Sequence, residues 1–270
     1  MSLTYSSYLK IDELLSLQRP ISAGPEGPEH DETLFIVIHQ VYELWFKQQL
    51  HELDRIVHLL AVSSPSEDYT SDVLLTWRRI LTILKTMVAQ IDVLETMTPI
   101  SFSSFRDRLE SASGFQSPQF REMEYLIGQR DRRMLAMHRD NPAALERLER
   151  RLAQPTLYQA FLGYLRRHGY DTIPEEALAP RDDQPPPEGS GIRKALIAVY
   201  RNADHTLTQV CERLVDFDEG LQEWRYRHVK MVQRTIGAKR GTGGSSGVEY
   251  LRGTLFQPLF PDLWNIRSEL

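Results

Sequence analysis

Residues 34–46 read Leu34-Phe35-Ile36-Val37-Ile38-His39-Gln40-Val41-Tyr42-Glu43-Leu44-Trp45-Phe46. Leu34, Ile38, Val41 and Trp45 recur every three or four residues, which is the period of an amphipathic helix. The same stripe continues through Leu53, Ile56 and Leu60. A second stripe runs Leu74, Trp77, Leu81, Leu84, Val88, Ile91, and a third runs Leu157, Phe161, Tyr164, Leu165. A fourth runs Leu207, Val210, Leu214, Phe217, Leu221, Trp224. Few alternating, β-branched runs compete with them. The pattern predicts an all-α fold, a helical bundle with long helices and short irregular connections.

The breaks between stripes are as informative. Pro20 to Pro28 predicts a loop, closed by His30-Asp31 as a helix cap. Ser63 to Tyr69 predicts a turn between antiparallel helices. Pro174 to Gly191, with Pro185-Pro186-Pro187 at its centre, predicts a surface loop or partly disordered stretch. At 270 residues the chain fits one large domain or two small ones. The stretch could mark a boundary, but the helices flanking it are too apolar to stand alone. The expectation is therefore one domain over residues 1–270 with 174–191 as an insertion.

Composition narrows the class of function. Hydrophobic residues make up 41% and charged residues 26%, enough of each for a globular core and a solvated surface. A net charge of -5 argues against a nucleic-acid or anionic-membrane partner, because phosphates require a basic surface. No apolar run approaches the roughly 20 residues that span a bilayer. Met1 to Tyr8 lacks a basic segment followed by an apolar one, which predicts no secretion signal and a cytoplasmic address. The lone Cys211 excludes an intramolecular disulfide or a multi-thiolate metal site.

Several chemistries fail on pattern. No Cys-x-x-Cys-His or His-Glu-x-x-His is present, and His51-Glu52-Leu53-Asp54-Arg55 misses the second histidine. Gly241-Thr-Gly-Gly-Ser-Ser-Gly247 lacks the Lys-Ser/Thr ending of a phosphate loop and follows a helix rather than a strand, so a connector fits it better. His30-Asp31-Glu32 has the His-x-Glu spacing of a non-haem iron site, but it opens a helix. Of eight histidines, each alone suits an exposed or structural role. His39, with Phe35, Tyr42 and Phe46 on its helical face, and His228, with Trp224, Met231 and Val232 on its face, have dry aromatic or apolar surroundings. Such an imidazole suits a planar cofactor whose iron takes a neutral nitrogen.

Longer blocks carry a resemblance. Leu3-Thr-Tyr-Ser-Ser-Tyr-Leu9, His30 through Lys47, Leu94-Glu-Thr-Met-Thr-Pro99, Phe105-Arg-Asp107, Ser113-Gly-Phe-Gln-Ser117, Trp224-Arg-Tyr-Arg-His228 and Lys239 through Val248 resemble the tryptophan 2,3-dioxygenase family, in order and over nearly the whole chain. The resemblance implies a helical enzyme with haem b held between helices. It further implies a homotetramer that inserts both atoms of dioxygen into L-tryptophan to give N-formylkynurenine. His228 then matches the proximal iron ligand and His39 the distal histidine beside the indole nitrogen. Phe35 matches a wall of the indole pocket, and Arg106 the partner of the substrate carboxylate, expected in a loop just past a long helix. Thr242 matches a contact to the ammonium and carboxylate end, in a glycine-rich segment suited to a lid. Leu109 and Ser113 match pocket positions, while Tyr5, Tyr8 and Leu9 match positions that complete a neighbouring subunit's pocket.

Two departures qualify the match. Phe102 stands where some members of the family have tyrosine, so no phenol reaches the carboxylate there. Members also often carry residues before the Tyr-x-x-Tyr segment, which here begins at Tyr5. Two alternatives stand beside tryptophan: a relative oxygenating a substituted indole or another aromatic amino acid in natural-product biosynthesis, and a haem-binding protein without turnover.

Overall fold

The computed structural model describes residues 3–25, 27–110, 112–179, 190–202, 204–239 and 247–270. Among them are twelve α-helices: α1 (Tyr5–Leu9), α2 (Ile11–Leu15), α3 (His30–Val62), α4 (Thr70–Leu94), α5 (Pro99–Arg106), α6 (Pro118–Leu126), α7 (Pro142–Leu152), α8 (Leu157–Arg167), α9 (Ser190–Arg201), α10 (His205–Ile236), α11 (Val248–Arg252) and α12 (Pro261–Asn265). No strand occurs among the described residues, only isolated bridges within two turns. The all-α expectation holds.

The helix α4 is the central plank. It lies antiparallel to α3: the Tyr42 hydroxyl donates to the Met87 carbonyl at 2.6 Å, Gln49 Nε2 to the Ile80 carbonyl at 3.0 Å, and Arg55 meets Asp72 at 3.1 Å. Its other neighbour, α10, runs parallel to it. The Trp77 and Phe217 rings lie 5.5 Å apart at one end, and Arg234 reaches Glu95 at 3.0 Å at the other. Gly220 allows the close crossing, since a Cβ there would stand 2.8 Å from Leu84 Cδ2. All residues of the third and fourth stripes are buried. Leu34, Val41, Trp45, Leu74 and Leu81 are half-buried at the margins of theirs.

The turn at 63–69 lies where the sequence puts it, between α3 and α4. The cap of α3 does not. Glu29 is the N-cap and makes no side-chain cap bond, while His30 and Asp31 fall inside the first turn. The residue that fixes this end is Glu32, whose buried carboxylate accepts from the Ile21 amide at 2.8 Å and the Ser22 amide at 2.9 Å. Burial opposes its charge, but the hydrogen bonds from Ser22 and Ile21 outweigh burial and hold its pKa below the ordinary value. Glu32 thereby belongs to the loop, not to an iron site.

The Pro-rich stretch is shorter than expected at its end. A 3-10 turn covers Glu175–Ala177, and α9 already begins at Ser190, while residues 180–189 lie outside the described set. The two ends of the stretch meet. Thr172 Oγ1 donates to the Gly191 carbonyl at 2.9 Å, and a Cβ on Gly191 would collide with the Thr172 carbonyl at 2.1 Å. Glycine is the side chain that this approach permits.

Charged groups inside the bundle are joined, not stranded. Arg151 of α7 grips Asp54 of α3 at 2.6 and 2.9 Å and Glu122 of α6 at 2.8 Å. Asp218 of α10, fully buried, accepts through Oδ2 from the Leu259 amide at 2.8 Å, the Phe260 amide at 3.2 Å and Trp264 Nε1 at 2.9 Å. That carboxylate pins the chain leading into α12. Asp218→Ala should lower unfolding free energy in urea by about 2–4 kcal/mol, because three donors lose their acceptor. A change below about 0.5 kcal/mol would show the C-terminal segment to be held by its apolar contacts alone.

Candidate active site

Where α3, α5, α6, α10 and α11 converge they enclose a cavity of about 330 Å³. That volume lies at the lower end of the range of about 300–1,000 Å³ usual for small-molecule sites. Its two chemically distinctive walls come from α3, which supplies Phe35, His39 and Tyr42, and α10, which supplies Trp224, His228 and Val232. Both helices show these residues on one face for the same reason that their stripes are legible: positions three, four and seven apart share a side. The cavity ends of both are set by packing against α4.

His39 opens onto the cavity, with Nδ1 2.7 Å from the Phe35 carbonyl and its ring 4.2 Å from the Phe35 ring. A carbonyl oxygen only accepts, so Nδ1 carries the proton and donates. In the neutral ring Nε2 is then left with a lone pair. Enclosure by protein lowers the pKa of His39, partly offset by the Phe35 carbonyl and by the Glu43 carboxylate one turn on. Phe35, Phe102 and Phe105 pack against one another at 5.4–5.7 Å, extending the aromatic wall around it.

His228 faces the same space from α10. Its ring lies parallel to Trp224, with centroids 5.5 Å apart and an interplanar angle of 5°. Burial drives its pKa down to about 4, with the nearby His39 adding to the cost of charge. No hydrogen bond to its ring forms among the described residues, so a ring nitrogen is available as a neutral ligand. Behind it, Phe120 and Phe46 continue an aromatic chain from Trp224 at 5.5 and 5.4 Å. The Tyr42 hydroxyl, raised by burial to about 12, stays protonated as a donor to Met87.

Arg106 and Phe102 enter from α5, and Leu109 and Ser113 from the turn that follows. Arg106 is half-buried and ends the short helix α5, where the sequence suggested a loop past a long helix. Proline at the first position and Thr98 accepting from the Ser101 amide start that helix, which spans only eight residues. Tyr250 of α11 meets Phe115 edge-on at 5.1 Å across the cavity's side. On the α6 side, buried Arg121 pairs with Glu124, and Arg225 hydrogen-bonds Gln129. Arg121 Nε is buried without a partner among the described residues.

Six of the residues selected from the sequence thus share one cavity: Phe35, His39, Arg106, Leu109, Ser113 and His228. Thr242 lies outside the described residues. Tyr5, Tyr8 and Leu9 do not join the cavity; they stand on α1 with 76, 69 and 44% of their surface exposed. Sequence reasoning missed Glu43, Arg121, Glu124 and Arg225, which line the cavity. Glu43 had a usable signal, being four residues from His39. The others read as solvated helix faces until tertiary packing buries them.

These residues fit a haem: a neutral, unbonded imidazole, an apolar floor and an orphaned guanidinium nitrogen. No cluster of three or more metal-ligating side chains occurs among the described residues.

The family profile described as Tryptophan 2,3-dioxygenase matches residues 1–168 and 191–270, leaving out little more than the Pro-rich stretch. A tryptophan 2,3-dioxygenase of Herpetosiphon aurantiacus is 56% identical over 269 residues, covering 100% of this chain and 99% of its own. Another, of Anaeromyxobacter sp. strain K, is 53% identical, with coverages of 100% and 97%. A third, of Caulobacter vibrioides, is 43% identical over 273 residues, with coverages of 99% and 98%.

The depressed histidines have a consequence for stability. A base whose pKa falls on folding is protonated first in the unfolded chain, so acid favours unfolding. For His228 the loss should begin near pH 6.5 and be complete near pH 4, amounting to at most about 3 kcal/mol. Urea unfolding of cofactor-free protein across that window should show the decline, and His228→Leu should flatten it. An equal decline in the variant would assign the effect to other groups.

Proposed function

Because the chain belongs to the tryptophan 2,3-dioxygenase family, we propose that it cleaves the indole C2–C3 bond of L-tryptophan with dioxygen, giving N-formylkynurenine and opening tryptophan catabolism along the kynurenine pathway. The observation that carries this reading is the pair of neutral imidazoles, His39 and His228, facing one apolar cavity.

His228 would hold the iron of haem b through its free ring nitrogen, against Trp224 and Val232. The bound haem would supply the activation of dioxygen. The protein's own part is orientation and exclusion of water. Phe35 and its aromatic neighbours give the indole a flat apolar wall. With Nδ1–H committed to the Phe35 carbonyl, His39 presents Nε2 as an acceptor for the indole N–H. Neutral at physiological pH, it orients the ring and need not remove that proton. Arg106 supplies the charge-assisted, forked contact that a carboxylate inside a cavity requires. Leu109 and Ser113 fill the remaining edge, and Thr242 serves the ammonium end.

The exposed side chains of α1 give the assembly its rationale. Tyr5, Tyr8 and Leu9 cover nothing in their own cavity, which suits a homotetramer in which they complete a neighbour's. No helix among the described residues is long and apolar enough to cross a membrane, and a cytoplasmic enzyme fits that. The meeting of Thr172 and Gly191 supports one catalytic unit with residues 174–191 as an excursion from it.

Reduced, haem-loaded protein given tryptophan and isotopically labelled dioxygen should yield N-formylkynurenine bearing both labelled atoms. A product with one labelled atom would make the enzyme a hydroxylase. Arg106→Leu should lower kcat/KM for tryptophan by about 30- to several-thousand-fold, the equivalent of about 2–5 kcal/mol for stranding a carboxylate. Haem content should be unchanged, and indoles without a carboxylate should lose far less. Equal turnover of tryptophan by variant and native protein would place the carboxylate elsewhere.

A further inference from the structure

Glu43 lines the active-site cavity one turn beyond His39 on α3. A carboxylate on a largely apolar wall gives up solvation, and neither an iron-bound imidazole nor a flat indole needs an anion beside it. Its place is fixed from α6. Gln119 Nε2 donates to the Glu43 carbonyl and to Glu43 Oε2, both at 2.8 Å.

Two electron-rich groups on α3 flank His39. Four residues before it, the Phe35 carbonyl accepts the Nδ1 proton at 2.7 Å. Four residues after it stands the Glu43 carboxylate, and positions four apart share a helical face with Cβ atoms about 5–6 Å from each other. Burial lowers the basicity of His39, opposed first by the Phe35 carbonyl and then by the charge of Glu43. Inside a cavity of low polarity a fixed charge acts with little screening. Both groups therefore push electron density toward Nε2, the nitrogen left free to accept.

Glu43 stands on the far side of His39 from the helix that carries Arg106. Phe35 packs on Phe102 and Phe105 of α5 at 5.7 and 5.6 Å, so α5 lies beside the Phe35 turn. Glu43 is eight residues further along, about 12 Å on the helix axis. An amino acid whose carboxylate is held by Arg106 keeps its ammonium at that same end. Glu43 thus reaches a bound indole through His39 and does not touch the ammonium.

We propose that Glu43 is a positioning residue for the substrate: its carboxylate polarises His39, so that Nε2 accepts the indole N–H more strongly and fixes the direction of the ring. This deepens the proposed function and rests on its placing of the indole N–H at His39 Nε2. A neutral imidazole in a dry cavity is a modest acceptor, and a neighbouring anion strengthens it without adding a proton to the ring. The consequence is selectivity for a bicyclic ring that carries a donor over one of the same shape that lacks it.

Calorimetry on reduced, haem-loaded protein without oxygen tests it, with L-tryptophan and with 3-benzothienyl-L-alanine, in which sulfur replaces the indole N–H. Glu43→Gln is nearly isosteric and keeps an oxygen for Gln119, so it removes the charge alone. It should weaken tryptophan binding about three- to ten-fold and binding of the sulfur analogue by less than about two-fold. In a His39→Ala background the same substitution should change tryptophan binding by less than about two-fold, because the coupled partner is gone. Helix content by circular dichroism and haem content by absorbance should match the native protein. Unchanged tryptophan binding in Glu43→Gln would overturn the proposal. So would equal weakening of both ligands, or an undiminished loss in the His39→Ala background, since either would give Glu43 a role independent of the N–H contact. A native protein that binds no tryptophan would overturn the proposed function itself, and this inference with it.

Discussion

Enclosure of an imidazole beside aromatic carbon opposes its charged form, and this single cost organises the site. It keeps His39 and His228 neutral. Neutrality gives each a lone pair, and the Phe35 carbonyl decides which nitrogen of His39 keeps it. The two rings come from helices 32 and 33 residues long that never need to bend toward each other, because α4 holds both at fixed spacing. The placing of the two rings on one cavity is thus a by-product of core packing.

Polar groups buried elsewhere in the bundle obey the same rule. Glu32, Asp218 and Arg151 are each enclosed, and each is given several partners. They bind the chain's loops and its C-terminal segment to the long helices, where apolar contacts alone would fix them less firmly. Arg121 Nε is among the buried atoms left without a partner among the described residues, and it lies at the cavity wall, where a ligand could satisfy it.

Much of the fold is legible because a helix writes its buried face into the chain every three or four residues. The stripes from Leu53 to Leu60 and from Leu207 to Trp224 are buried as their spacing dictates. The start of α3 was misread because Asp31 has the chemistry of a cap, whereas the loop is held by Glu32, one position on. Arg106 was placed in a loop because an eight-residue helix carries too little periodicity to register. His39 and His228 are distinguishable by their apolar neighbours, but only the family resemblance assigns one the proposed role of ligand and the other that of distal group. Arg121, Glu124 and Arg225 left no local trace, since burial of a charged helix face is decided by segments distant in sequence. The role of Thr242 falls outside the described residues.

The central claim, that His228 is the sole protein ligand to a haem iron in this cavity, is tested most directly by low-frequency resonance Raman spectroscopy of the reduced, haem-loaded protein. An iron–histidine stretch should be present, should vanish in His228→Gly, and should return at a shifted frequency when imidazole is added to that variant. An unchanged stretch in His228→Gly without imidazole would contradict the account, because another histidine would then hold the iron.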